Sequence, residues 1–367
     1  MTGKQTMQPL EWTALRELVY DLRSAGQIVG AQIAVSVGSN TSHFLYGQSF
    51  PGKEMLADSK FRLYCAGKPV LAYLFAVMYD ELAIDLDALI VDCLPEITSG
   101  GKQGITYRQL LNHSAGLHGE SGVSFGLASD AARELAVREL AVPDGWTPGA
   151  MSGYSQYPAW HLLGKALERH AGMRVGDLMD RVRDTGDCLS HLDLCMSEAR
   201  FAAIQSDLGV HYDCSVRPAM PFLMDRSRQL AMEWNPGYGA VGSAHGLMCL
   251  FRELLAALSG DSSAVQEDVA DEFWGVGSGK RFDVVYEREC NYCLGATFDL
   301  PLSWQCECCS DSAFGQSGME GCVFGLADRA RDLSAGVVIN SFPPSSEEGF
   351  VRRRAIINAI YKDIGSI

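Results

Sequence analysis

The stretch Phe61-Arg62-Leu63-Tyr64-Cys65-Ala66-Gly67-Lys68-Pro69 places a thiol and an amine three residues apart, just ahead of a long apolar run. At helical spacing two such side chains stand one above the other on one face. Lysine then serves as base or charge partner for the nucleophile, the Ser-Lys arrangement with sulfur in place of oxygen. A free thiol with a pKa of ~8.5 is only a few per cent thiolate at neutral pH. A helix N-terminus and a neighbouring ammonium both favour the anion. The chemistry this spacing supports is acyl transfer through a thioester. The plainer reading makes Cys65 one buried thiol among 12 cysteines, and C-x-x-K alone does not separate the two.

The residues that follow supply a context. Ile84-Asp85-Leu86-Asp87 and Leu94-Pro95-Glu96 come next, and ITYRQLLNHSAGL occupies 105–117. Tyr154-Ser155-Gln156 precedes Leu162-Leu163-Gly164, and GAVGSAHGLMCL runs over 239–250. Phe314-Gly315-Gln316-Ser317-Gly318-Met319-Glu320-Gly321 then continues to Val337-Val338-Ile339-Asn340. In this order the segments resemble the serine β-lactamase, penicillin-binding-protein and esterase superfamily, nearest its esterase and class C β-lactamase branch. Cys65 takes the place of the nucleophilic serine in the F-R-x-x-S-x-x-K opening of the central helix. The resemblance spans nearly the whole chain.

It implies a β-lactamase/transpeptidase-like α/β (α+β) fold, with Cys65, Lys68 and Tyr154 as the catalytic residues and neither a metal nor an organic cofactor. Tyr154, beside Lys68, is expected to lose its proton more easily and to relay protons. Gln156 stands where relatives carry asparagine, and Gln316 where they carry lysine or histidine. A neutral Gln316 lacks the cation that grips a substrate carboxylate, which argues against β-lactams as substrates. Gly318 lets the backbone approach a ligand, and a strand N–H near Ser317 pairs with that of Cys65 as an oxyanion hole. Gln156, Gln316, Ser317 and Gly318 are therefore expected to line the substrate and oxyanion site. The resemblance makes His113 structural, and His245 is expected at the surface.

Sulfur changes the expected reaction. Attack on a thioester donor, such as an acyl-carrier or coenzyme A substrate, exchanges one thioester for another at little thermodynamic cost. Attack on an amide climbs toward a higher-energy acyl group. The expectation is a transacylase or esterase working on small activated ester or thioester donors, an acyl-carrier protein among them, with water, an amine or an alcohol as acceptor. A simple hydrolytic esterase or thioesterase is the near alternative. A catalytically inactive ligand-binding or scaffold protein is the alternative of another class, motivated by the changed positions Cys65, Gln156 and Gln316.

Elements must bring these motifs together. Residues 10–25 have helical spacing, and Ile28 to Val37 and Ser42 to Gly47 read as a hairpin. Ala66 to Leu82 is predicted as a helix, with Pro69 tolerated in its first turn. Tyr292–Leu300, Phe314–Leu326 and Leu333–Asn340 are strand-like, and a last helix covers about 346–363. Val142-Pro143-Asp144-Gly145 and Asn235-Pro236-Gly237 mark turns. The expected architecture is an antiparallel sheet from both termini flanked by helices, residues 1–83 and 271–367, with a mainly helical subdomain, 84–270, inserted.

Composition narrows the classes. The chain has 367 residues, 47% hydrophobic and 20% charged, as ordinary globular proteins do. A formal charge of −15 argues against nucleic-acid or acidic-membrane partners. The start, Met1-Thr2-Gly3-Lys4-Gln5, has no apolar signal-like core, and no run approaches a membrane span. With so many cysteines this leads to an expected cytoplasmic location. Cys290 and Cys293, with Cys306, Cys308 and Cys309, raise a structural zinc site, weighed against ordinary reduced thiols because strand spacing turns Cys290 and Cys293 to opposite faces.

Overall fold

Leu15, Val19 and Leu22 recur at helical spacing and form the buried side of helix α1, Thr13–Ser24, in the computed structural model. Residues 10–119, 129–183, 187–233 and 237–365 are described. The segment 1–9 and the residues Asn235 and Pro236 of the expected turn lie outside them. Among the described residues no side chain near α1 in sequence caps its first turn. Asp363 does so from the other end of the chain, accepting from the N–H groups of Ala14 (2.7 Å) and Leu15 (3.0 Å).

The main sheet has nine strands. In chain order they are β1 Gly30–Val37, β2 Asn40–Phe50, β3 Lys53–Glu54, β4 Arg281–Asp283, β5 Arg288–Cys293, β6 Ala296–Phe298, β7 Ala313–Gly318, β8 Val323–Asp328 and β9 Leu333–Ile339. Their spatial order is β3-β2-β1-β9-β8-β7-β6-β5-β4, with β1 and β9 antiparallel in the register Ala31↔Ile339 to Val37↔Leu333. The sheet is thus assembled from the two terminal segments, as the resemblance implies. Central strands β8 and β9 are buried along their whole length and correspondingly apolar, whereas β2 near the edge alternates.

Alternation divides β9 between two cores. Leu333, Ala335, Val337 and Ile339 face α1 and the last helix, while Val338 faces the opposite layer. The helices that matter for the site are α2 Lys68–Val77, α3 Pro158–Ala171, α4 Ala244–Ala257 and α5 Ser346–Ile364. Helix α4 presses so closely on β9 that a Cβ on Gly336 would lie 2.0 Å from the Ala244 carbonyl oxygen and 2.7 Å from the Met248 nitrogen. Two small sheets tie the middle of the chain to its ends. Val241–Gly242 pairs with both Phe61–Arg62 and Leu192–Asp193, and Tyr212–Asp213 pairs with Ser341–Phe342.

Boundaries differ from the predicted ones where a turn hides inside an apolar run. The helix predicted over Ala66 to Leu82 is regular only from Lys68 to Val77. Tyr64–Gly67 is a tighter 3₁₀ turn, and the chain turns away at the left-handed Ala83 (φ 47°). Pro69 sits in the first turn of α2. Residues 292–300 are divided between β5 and β6 at Gly295 (φ 90°), and 314–326 between β7 and β8. The turn at Val142-Pro143-Asp144-Gly145 forms, with Gly145 at φ 77°. Among the described residues no helix is long and apolar enough to cross a membrane.

Two stability measurements test this packing. Gly336→Ala should cost about 2–3 kcal/mol in urea unfolding, because backbone on α4 must move to admit the methyl. His161, 2% exposed in α3 with neither ring nitrogen bonded, has a pKa pushed down by burial. The unfolded chain therefore binds a proton that the folded one refuses, and stability falls as pH drops below 6.5. His161→Leu should remove a slope of about 1.4 kcal/mol per pH unit from that acid limb.

Candidate active site

Cys65 owes its position to a strained residue before it. Tyr64 adopts φ 50°, a left-handed conformation that costs a bulky residue about 1–3 kcal/mol. Its hydroxyl donates to Asp225 Oδ1 at 2.6 Å, and Asp225 Oδ2 accepts the His211 backbone N–H (2.8 Å) and meets His211 Nδ1 (2.8 Å). His211 in turn stacks on Phe342, with ring centres 5.3 Å apart and planes 7° from parallel. Burial opposes ionisation of Asp225, yet His211 and the Tyr64 hydroxyl outweigh it and hold the carboxyl below its usual range. Arg62, with Nε 3.8 Å from this carboxylate, completes the group. The clamp fixes Tyr64 and leaves Cys65 half-buried in a cleft of about 250 Å³.

Lys68 lies directly below. The 3₁₀ turn eclipses positions three apart, which puts the amine under the thiol. Lys68 is 0% exposed. Its Nζ donates to the carbonyls of Gln156 (3.0 Å) and Gly237 (3.2 Å) and lies within interaction range of the Cys65 sulfur. Nζ also lies 5.1 Å from the centre of the Tyr154 ring and 5.6 Å from that of Trp160. Burial lowers the lysine pKa, and the neighbouring Cys65 pulls it back up.

Tyr154 reaches the sulfur from the other side. Its hydroxyl lies within interaction range of the Cys65 sulfur and receives the Gln316 side-chain amide at 2.9 Å. The expectation that this phenol loses its proton more easily is corrected here. Burial, then the Cys65 charge, push its pKa well above the ordinary value, so Tyr154 stands as a proton donor. His113 braces it from behind, ring centres 4.5 Å apart, while His113 Nδ1 accepts the Ser155 backbone N–H at 3.0 Å. Burial, then Lys68, drive the His113 pKa well down, so the ring is neutral.

The remaining predicted positions divide by role. Gln316 is 2% exposed and turned to Tyr154 and to the Ser317 carbonyl. Gln156 contributes its backbone carbonyl to Lys68, and its exposed side chain lines the cleft mouth. Ser317 lines the cleft beside Cys65. Gly318 permits the closest approach: a Cβ there would lie 2.5 Å from the Leu63 oxygen, 2.8 Å from the Ala66 nitrogen and 3.0 Å from the Cys65 nitrogen. Strand β7 is therefore seated against the Cys65 turn, where N–H groups from strand and turn can converge on an oxyanion.

Of the residues outside the motifs, His245 is half-buried and contacts His43 (3.1 Å) rather than the cleft. Cys290 lines the cleft, whereas Cys293 turns to the Ala296 carbonyl in the core. None of the twelve cysteines is in a disulfide, and no three His, Cys, Asp or Glu among the described residues are placed to hold a metal ion. Sequence spacing gave no hint of Asp225 or His211, which reach Tyr64 only through the folded chain, Asp225 from 161 residues away. The same holds for Tyr157, Tyr238 and Tyr286, which furnish much of the cleft wall.

Comparison with known proteins places this geometry. No match was found among curated proteins. A penicillin-binding protein homologue from Caulobacter crescentus has a similar fold, with TM-score 0.78 and 20% identity over 97% of this chain and 99% of that one. EstCE1, described as a hydrolase with promiscuous acyltransferase activity, gives 0.77 and 17%, covering 95% and 97%. A family VIII carboxylesterase gives 0.76 and 20%, covering 97% and 99%. At these identities the likeness is one of fold. The sequence profile of the Beta-lactamase family matches residues 15–359, and the chain belongs to that family.

Proposed function

We propose that this protein is an acyl-transfer hydrolase of the esterase kind, in which Cys65 is the nucleophile and the intermediate is a thioester on its sulfur. The observation that carries the reading is the convergence of Lys68 and Tyr154 on that sulfur, with Lys68 fully buried and bonded otherwise to carbonyls alone. A merely structural thiol has no use for a buried amine beneath it. The esterase neighbours, one of them a hydrolase with promiscuous acyltransferase activity, support the same class. The preserved Lys68–Cys65–Tyr154 contact speaks against a retired, non-catalytic site.

In the proposed cycle Lys68, as the free amine that burial makes accessible, takes the Cys65 proton. The thiolate attacks the acyl carbon, and the carbonyl electrons pass to an oxyanion held by N–H groups at Cys65 and on β7 near Ser317. As the intermediate collapses, the bond to the leaving group breaks and Tyr154 donates a proton to it. Gln316 donates to the phenol oxygen and so leaves the phenolic hydrogen free for that transfer. Lys68 returns its proton to Tyr154. The acceptor, whether water, an amine or an alcohol, then gives its proton to Lys68 as it attacks the thioester carbon, the C–S bond breaks, and Lys68 passes that proton to the released Cys65 thiolate. Small activated esters and thioesters, including those on coenzyme A or an acyl-carrier protein, are the donors that sulfur favours, and a reducing cytosol suits the thiol.

Two measurements test this. Incubation with 4-nitrophenyl acetate and with S-acetyl-N-acetylcysteamine should add one acetyl group to Cys65, seen by mass spectrometry of the peptide. Absence of the adduct with both donors overturns the proposal. Tyr154→Phe should slow acylation by about 10²–10⁴-fold with little change in thermal midpoint, as loss of a general acid does. An unchanged rate would remove Tyr154 from the cycle.

A further inference from the structure

The cleft that holds Cys65 carries two guanidinium groups with no carboxylate paired to them among the described residues. Arg352, Arg353 and Arg354 are consecutive in α5. Arg352 donates to the carbonyls of Gln27 and Ser341, and Arg354 to the Gln305 side chain. Arg353, between them, is 3% exposed, yet its Nε and Nη2 have no hydrogen-bond partner. Its flat faces are occupied, with Cζ 4.2 Å from the centre of the Trp304 ring and 5.1 Å from that of Phe350. Stacking uses the faces of a guanidinium, whereas its five N–H donors lie in the plane and stay available to an acceptor.

Arg353, Trp304 and Phe350 all line the Cys65 cleft, as does Arg288 at the start of β5. The Arg288 Nε is likewise sealed from solvent without a partner, and its Cζ lies 5.5 Å from the centre of the Tyr286 ring. Tyr286 is within electrostatic reach of both Cys65 and Arg353, so the wall runs on from thiol to guanidinium. Nearby acids are accounted for. Glu320 is exposed and receives the Ser346 hydroxyl, and Asp283 accepts from the Tyr292 hydroxyl and the Val285 and Tyr286 N–H groups. Burial lowers the Arg353 pKa to about 10, which still leaves it charged at neutral pH. A buried, unpaired charge is strongly unfavourable unless a ligand supplies the counter-ion.

We infer that Arg353 and Arg288 form an anion subsite in this cleft, which binds a carboxylate or phosphate carried by the acyl donor. The substrate class is then an anionic ester or thioester. This rests on the reading that Cys65 is acylated here. The anion has two sources that share one chemistry, a carboxylate at the far end of the acyl group or a phosphate on the leaving group. Bidentate, charge-assisted hydrogen bonds from a planar guanidinium fit either.

The test compares matched donors. For the acyl arm these are the 4-nitrophenyl monoester of glutaric acid and the same ester with its free carboxylate converted to the amide. For the leaving-group arm they are S-acetyl-4′-phosphopantetheine and S-acetylpantetheine. In one arm the anionic member should show a kcat/KM about tenfold or more above its neutral partner. Arg353→Met, and independently the less buried Arg288→Met, should lower that ratio, so misfolding of one variant leaves the other to decide. Equal rates for charged and neutral donors in both arms, or ratios untouched by both substitutions, overturn the subsite. Calorimetry of glutarate and 4′-phosphopantetheine on Cys65→Ala reads the subsite without acylation. Binding there that Arg353→Met weakens sustains it even if no donor acylates Cys65, and no binding of either counts against it.

Discussion

The Lys68 ammonium is the constraint around which the site is arranged. A charge taken wholly out of water is costly unless its donors find acceptors. The two hydrogen-bond partners of Nζ come from separate parts of the chain, the backbone at Gln156 just before α3 and Gly237, and the Cys65 turn lies within its electrostatic reach. None of them is a carboxylate. Carbonyl dipoles satisfy the donors without neutralising the charge, so the amine stays responsive to the state of the sulfur above it. A salt bridge to an acid would have fixed Lys68 as a permanent cation and left it unable to take a proton.

Geometry at the sulfur depends on a second expense of folding, the left-handed Tyr64. The clamp of Asp225, His211 and Arg62 offsets that strain, and strand β7 closes on the turn from the opposite side through Gly318. The small sheet that joins Phe61–Arg62 to Val241–Gly242 ties the start of the turn to the same frame. The Cys65 turn is thus held by rigid elements on three sides, as the proposed acyl transfer would require.

Much of this was legible in the sequence because it is local or periodic. The alternating hairpin, the fully apolar β9 and the C-x-x-K spacing each report their structure within a few residues. The motif order carried the family and therefore the neighbourhood of Tyr154, Gln316 and Gly318. Turns within apolar runs were not legible, since hydrophobicity continues through Gly295 and the break appears only in its backbone angle. Asp225 and His211 were invisible for another reason: their partners are assembled by tertiary contacts between distant segments. Arg353 was hidden in plain view, because three consecutive arginines on a helix read as a solvated face until the middle one is seen buried between Trp304 and Phe350.

Two of the departures from the family pattern, Cys65 and Gln316, make chemical sense together. Abstracting a proton from a serine hydroxyl asks for a strong base, and a cation beside the tyrosine helps to supply one as the phenolate. A thiol, with a free pKa of ~8.5, asks for no more than an amine. With sulfur at position 65, the phenolate becomes unnecessary and a cation is no longer needed to sustain it. Gln316 instead presents a neutral donor to the phenol oxygen, and the burial of Tyr154 keeps its proton in place. Work is thereby divided, with Lys68 positioned to remove a proton and Tyr154 to deliver one. Under the proposed function, Cys65 and Gln316 are paired adjustments of one proton circuit, and a loss of activity need not be invoked to explain either.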